Sequence, residues 1–214
     1  MAHFAGCDTP EACACETRGY WYLFFVVGFT AVAEFIIARF FAHSGAGQAD
    51  ALHAFLHGLW FGIALYVAYR VQGSDFSLVE ENVFRARFGL VNAILLLFVL
   101  SVLCFEAVHK LMHPESVNGF LMCVSGCIGL GGNLLALCIL RKVERDHETY
   151  HWLSLDTIAD CWLSGTVIVG GIFVGKVPFI DPILTLVAIC WIGKMGYDLF
   201  VQRTLAHLLN KAIP

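Results

Sequence analysis

Two pairs of metal-capable side chains stand out in this sequence, His53 with His57 and Asp156 with Asp160. The members of each pair are four positions apart, so on a helix they lie on one face, one turn apart. Two imidazoles and two carboxylates form a nitrogen–oxygen ligand set suited to tetrahedral zinc, or to cobalt or cadmium. Magnesium and calcium prefer all-oxygen shells. The sequence therefore predicts a zinc-type site, provided that the two segments pack side by side.

The composition indicates that both pairs lie in a membrane. Of the 214 residues 59% are hydrophobic and 14% charged, whereas soluble domains have about 45–50% apolar and about 25% charged residues. Six apolar segments can cross about 30 Å of hydrocarbon, at 19–42, 48–70, 87–110, 117–140, 152–174 and 179–203. We predict an all-α polytopic membrane protein with six transmembrane helices: an N-terminal tail at 1–18, a membrane domain at 19–206 and a short C-terminal end at 207–214.

The basic residues predict an orientation. Nine Lys and Arg residues fall on the side of the termini, whereas Arg39, Lys110 and Lys176 fall on the other side and Lys194 lies within the last span. Cytoplasmic loops carry the excess of basic residues, so both termini are expected in the cytoplasm, with the protein in a bacterial inner membrane. The net charge of −4 argues against a nucleic-acid partner.

Ionisable residues inside membrane spans usually have a structural or functional role, because inserting each one into the bilayer costs about 2.5–3.5 kcal/mol. A lone histidine on an apolar helix is more often a core residue than a ligand, but two pairs at helical spacing weigh against that interpretation. Glu34 and Asp50 are further acids within the predicted spans. They are expected to belong to a proton path or to have a structural role. Glycines at 126–132 and at 165, 170 and 171 predict close helix approach.

The order of these motifs resembles the cation diffusion facilitators, a family of metal/proton antiporters. The similar stretches are EFIIARFFAHSGAGQADALHAFLHG, FGLVNAILLLFVLSVLCFEAVHKLMHPESVNG, GLGGNLLALCIL, LSLDTIADCWLSGTVIVGG and FIDPILTLVAICWIGKMGYDL. In that family the second and fifth helices each supply two residues of the transport site, which match His53, His57, Asp156 and Asp160 here. The resemblance implies export of a divalent metal in exchange for protons. Zn²⁺ is then the expected substrate, with Cd²⁺ or Co²⁺ as alternatives, no organic cofactor is expected, and a homodimer is implied.

Two departures from the family pattern are visible. His57 stands where an Asp is usual and Asp156 where a His is common, so the total of two His and two Asp is kept but redistributed. Family members also continue into a soluble cytoplasmic domain, whereas this sequence ends at Pro214. A short form is therefore expected, and the sequence leaves open whether it is natural or truncated.

Other motifs give alternative functions. Residues 147–151 read HETYH, the metalloprotease pattern with Glu148 as base, but they fall in a charged loop and lack a third ligand. His147 and His151 are accessory metal candidates, as are Cys13 and Cys15, although a disordered tail with incidental cysteines is an equal alternative. A third function is a metal sensor or scaffold, which would bind metal without gradient-dependent flux.

Overall fold

The computed structural model describes residues 10–73, 78–143 and 148–199, although not every side chain within those ranges. These residues form six α-helices and no strand. The helices are α1 (Pro10–Ile36), α2 (Gly45–Gly73), α3 (Leu78–Met112), α4 (Gly119–Val143), α5 (Glu148–Phe173) and α6 (Ile180–Leu199), with a π-helical segment at Ile37–Ala42 after α1.

The prediction of an all-α polytopic membrane protein is confirmed. Four stretches of the described residues are long and apolar enough to cross a membrane, Arg18–Ala42, Ile94–Met112, Gly119–Arg141 and Ile180–Tyr197, and Thr157–Phe173 forms a shorter apolar helix. Many large apolar side chains lie on the outer surface of the bundle. Phe29, Phe105, Phe120 and Trp162, for example, are each more than 70% exposed. Such a surface is a liability in water, whereas in a bilayer it faces lipid.

The helices extend beyond the predicted spans. α1 begins at Pro10, within the segment predicted as a tail, and α3 begins at Leu78 rather than at 87. Polar residues can continue a helix past the lipid, because the backbone hydrogen bonds within a helix do not depend on hydropathy. The membrane boundaries at 18 and 206 stay predictions.

Helices α1, α2, α4 and α5 form the main bundle, in which α4 packs along α5 and α1 packs along α2 and α4. α3 and α6 pair with each other and contact α2. Close approach of α4 and α5 depends on Gly171, where an added Cβ would lie 2.7 Å from the carbonyl oxygen of Gly119. At Gly165 the prediction of close approach is wrong, because an added Cβ there would have no neighbour within 4 Å.

The first turn of α2 is fixed by a carboxylate from α6. The side chain of Asp181 is fully buried and accepts hydrogen bonds from the Ser44 hydroxyl at 2.6 Å and from the backbone N–H groups of Gly45 and Ala46 at 2.9 and 3.2 Å. The first N–H groups of a helix lack partners within the helix, and a carboxylate there also interacts favourably with the helix dipole. Asp181 therefore sets the position of the helix that carries both histidines.

The junction between α1 and α2 is held by two other helices as well. His43 adopts a left-handed conformation with φ of 56°, and its carbonyl oxygen accepts a hydrogen bond from the Lys110 Nζ at 2.7 Å. The backbone N–H of Asn118, next to the start of α4, donates to the carbonyl oxygen of Ala42 at 3.0 Å. Contacts from α3, α4 and α6 thus converge on this one turn.

Candidate metal site

The two histidines of α2 meet one carboxylate of α5. The His53 and His57 rings lie one helical turn apart, with centroids 4.4 Å from each other and a 59° angle between the ring planes. Asp160 faces both rings: its Oδ1 lies 3.1 Å from His53 Nε2 and its Oδ2 lies 2.9 Å from His57 Nδ1. One carboxylate therefore spans two imidazoles.

This cluster is buried. His53 is 7% exposed and Asp160 is 3% exposed, while His57 is partly buried. His53 Nε2 faces the Asp160 carboxylate, whereas His53 Nδ1 has no hydrogen-bond partner among the described residues. Buried polar atoms in folded proteins are normally paired. An unpaired buried imidazole nitrogen beside a carboxylate is therefore a marker of a ligand-binding position.

The distances suit a metal ion. One ligand atom from each of His53, His57 and Asp160 can be chosen so that all lie within 4.8 Å of one another. A tetrahedral zinc ion with bonds of about 2.1 Å separates its ligand atoms by about 3.4 Å, and the two contacts at 2.9 and 3.1 Å are close to that spacing. Small side-chain shifts would bring these three donors, two nitrogen atoms and one carboxylate oxygen, to that spacing.

The fourth predicted ligand, Asp156, lies on α5 one turn before Asp160, but its side chain is outside the described residues. The structure thus brings together three of the four predicted residues, and the role of Asp156 stays a prediction. The accessory candidates are also outside the description: His147 entirely, and His151, Cys13 and Cys15 in their side chains.

The two further acids lie deep in the bundle. Glu34 on α1 and Asp50 on α2 are each 1% exposed. Sequence reasoning missed the hydroxyl groups around them. Ser125 on α4 and Ser164 on α5 are fully buried, and the Asn133 amide donates to Ser164 Oγ at 3.4 Å. A signal for Ser125 was present, since it precedes the glycine-rich stretch GCIGLGG.

The chain is similar to a known family of membrane proteins. The model of the cation efflux transmembrane domain matches residues 20–206, a range that contains all three clustered side chains. No curated protein is significantly similar to the chain.

Proposed function

Since this chain belongs to the cation efflux family, and so is an integral membrane transporter of metal cations, we propose that it exports Zn²⁺ from the cytoplasm in exchange for protons. Cd²⁺ and Co²⁺ are the proposed alternative substrates. The observation that carries this proposal is the buried cluster of His53, His57 and Asp160 between α2 and α5. The family is one of transporters, which argues against a protease built on residues 147–151.

The donor set supports zinc over hard cations. Two imidazole nitrogens with one or two carboxylates are typical ligands of zinc and of similar transition metals. Calcium takes six to eight oxygen ligands and magnesium keeps several waters, and neither requirement suits a site with two nitrogen donors. Asp156, placed on the same helix one turn from Asp160, is proposed as the fourth ligand.

Proton coupling follows from competition for the same atoms. A metal ion binds neutral imidazole and ionised carboxylate, so its arrival displaces any bound protons. Imidazole has an unperturbed pKa of about 6.5, so a modest fall in pH on the far side favours protons over metal there. We propose that His53 and His57 release metal by this exchange, while Asp160 and Asp156 supply fixed negative charge.

Alternating access requires the helices around the site to move relative to each other. The main bundle of α1, α2, α4 and α5 carries the cluster, and the α3–α6 pair contacts it through α2 and α5. We propose that rocking of the bundle exposes the cluster to each side in turn, with both termini in the cytoplasm of a bacterial cell and two copies of the chain forming a homodimer. The excess of basic residues on the side of the termini supports that orientation.

The test is zinc flux into vesicles that contain the purified protein. The parent is expected to move zinc in a manner that depends on the pH gradient, and His57→Ala and Asp160→Ala are each expected to lower the initial rate by at least about tenfold, because each removes a ligand. His109→Ala is the matched control, since His109 is exposed and its ring contacts only His113 among the described aromatic and histidine rings.

Transport at the parental rate by both His57→Ala and Asp160→Ala would show that the site assignment is wrong. Zinc flux that is unaffected by collapse of the pH gradient would instead leave the site intact and refute proton coupling. Saturable zinc binding with no flux under any gradient would favour a sensor or scaffold.

A further inference from the structure

Two buried carboxyl groups lie outside the proposed zinc cluster. Glu34 on α1 and Asp50 on α2 are each 1% exposed. The carboxyl group of Glu34 faces that of Asp50, so two acidic groups from different helices meet in the interior of a membrane protein. Neither group forms an ion pair with a Lys or Arg side chain among the described residues, where Arg39 and Lys110 instead pair with Glu106 at 2.9 and 3.4 Å.

Most of the oxygen atoms of these two acids lack partners. Neither carboxylate oxygen of Glu34 accepts a hydrogen bond from the described residues, and the same is true of Asp50 Oδ2. Burying an ionised carboxylate without a partner is very costly, and in a bilayer such residues pair with other groups or mark an ion pathway. The two facing carboxyl groups therefore call for a neutralising group between them, either a shared proton or a bound metal cation.

A serine hydroxyl supplies an independent indication of a ligand. Ser125 Oγ on α4 is fully buried and has no hydrogen-bond partner among the described residues, and it is directed at Glu34. A helical Ser or Thr can satisfy itself by donating to the carbonyl four residues earlier. Among the described side chains, those of Thr30, Ser101, Thr166 and Thr185 donate in this way at 2.7–2.8 Å. Ser125 does not, so its hydroxyl remains available to a ligand.

Helix α4 is shaped to admit the carboxylate. An added Cβ at Gly129, one turn after Ser125, would lie 2.7 Å from Glu34 Oε2 and 2.9 Å from Oε1. Any side chain at position 129 would therefore displace the Glu34 carboxyl group. The glycine and the serine together form a recess on α4 into which Glu34 fits.

We propose that Glu34, Asp50 and Ser125 form a second cation site, which binds a hard divalent ion of the Mn²⁺ class. The donors are carboxylate and hydroxyl oxygens, which hard divalent ions prefer, whereas the zinc cluster includes two imidazoles. An ion at this position neutralises the two carboxylates and joins α1, α2 and α4, next to the helix that carries His53 and His57. The binding test does not depend on the proposed transport function.

The test is direct titration of the purified full-length protein with Mn²⁺, followed by the electron paramagnetic resonance signal of free Mn²⁺. The parent is expected to bind one Mn²⁺ per chain. Glu34→Gln and Asp50→Asn are each expected to weaken that binding by at least about tenfold, because affinity for hard cations depends on the number of charged ligands. Both replacements keep the size of the side chain and remove a buried charge, so the variants should fold.

Two controls separate this site from other acids and from the zinc cluster. Glu106→Gln alters an acid paired with Arg39 and Lys110 and should bind Mn²⁺ as the parent does. His57→Ala disrupts the zinc cluster and should also keep Mn²⁺ binding. Thermal unfolding is a second measurement: Mn²⁺ should raise the melting temperature of the parent and of His57→Ala, but not that of Glu34→Gln, because an ion that binds only the folded state stabilises it.

Parental Mn²⁺ affinity in both Glu34→Gln and Asp50→Asn would overturn the proposal, as would a parent that binds no Mn²⁺. The second outcome would mean that a proton neutralises the acids. Loss of Mn²⁺ binding in His57→Ala would also overturn it, since the ion would then occupy the zinc cluster. A failure of zinc transport in vesicles would leave a positive Mn²⁺ result intact, so the two proposals fail independently.

Discussion

At the scale of single residues, the contact of Asp160 with two imidazoles supports the proposed preference for zinc. Helical spacing is sufficient to predict that His53 and His57 share a face of α2, since that relation depends only on the helix period. Their convergence with Asp160, across more than a hundred residues of chain, was inferred from ligand chemistry and from the family resemblance. The unpaired hydroxyl of Ser125 could not be predicted, because whether a helical serine bonds to its own backbone depends on its neighbours.

Replacement of His57 by Asp exchanges a nitrogen donor for an oxygen donor. His57→Asp is expected to lower the preference for Zn²⁺ over Mn²⁺ by about tenfold or more, because oxygen-rich sites favour harder ions. It should also change the number of protons released when zinc binds, since one imidazole has been replaced by a carboxylate. Calorimetry in buffers of different ionisation enthalpy measures both quantities, with Glu34→Gln in both proteins so that the proposed second site does not contribute to the Mn²⁺ signal.

The sign of the pH dependence is fixed by the chemistry of imidazole. In the parent, zinc affinity should fall as the pH falls, because protonated imidazole cannot bind metal. His57→Asp should show a shallower decline. An unchanged proton count together with unchanged metal preference would mean that His57 is not a ligand.

At the scale of helices, the capping of α2 by Asp181 is the contact that sequence reasoning could not supply. The hydrogen bond between Ser44 and Asp181 joins residues 137 positions apart, and no local pattern indicates such a partner. The presence of each helix was predicted better than the residue at which it begins, because a helix can begin outside the apolar segment. The start of α3 at Leu78 lies in a polar stretch, where hydropathy carries no information about backbone hydrogen bonding.

Asp181→Asn is expected to destabilise the protein by roughly 1–3 kcal/mol, because the amide keeps one acceptor oxygen but turns an NH₂ group toward the buried donors at the start of α2. The measurement is thermal or denaturant unfolding of the purified protein in detergent. Glu115→Gln is the matched control, since Glu115 is exposed in the segment between α3 and α4 and should change stability by less than about 0.5 kcal/mol. Equal stability of Asp181→Asn and the parent would show that the cap does not hold α2.

At the scale of the whole molecule, composition was sufficient to predict a membrane bundle, because the apolar surplus has few other places to go. It could not identify which glycines lie between helices. Positions 165 and 171 both lie on α5 in glycine-containing stretches, and both were predicted to permit close approach. Only Gly171 meets another helix closely: an added Cβ would lie 2.6 Å from Cys123 Sγ and 2.7 Å from the carbonyl oxygen of Gly119, whereas the space at Gly165 is open.

These two glycines allow a matched comparison of helix packing. Gly171→Ala is expected to destabilise the protein by roughly 1–3 kcal/mol, because the backbone of α4 has to move away from the added methyl group. Gly165→Ala should be neutral or stabilising by up to about 1 kcal/mol, since alanine favours the helix and meets no neighbour. Unfolding in detergent measures both. Because the same shift would move α4 relative to α5, the helix that carries Asp160, Gly171→Ala should also slow zinc flux. Equal changes in stability for Gly171→Ala and Gly165→Ala would show that close α4–α5 contact does not hold the bundle together.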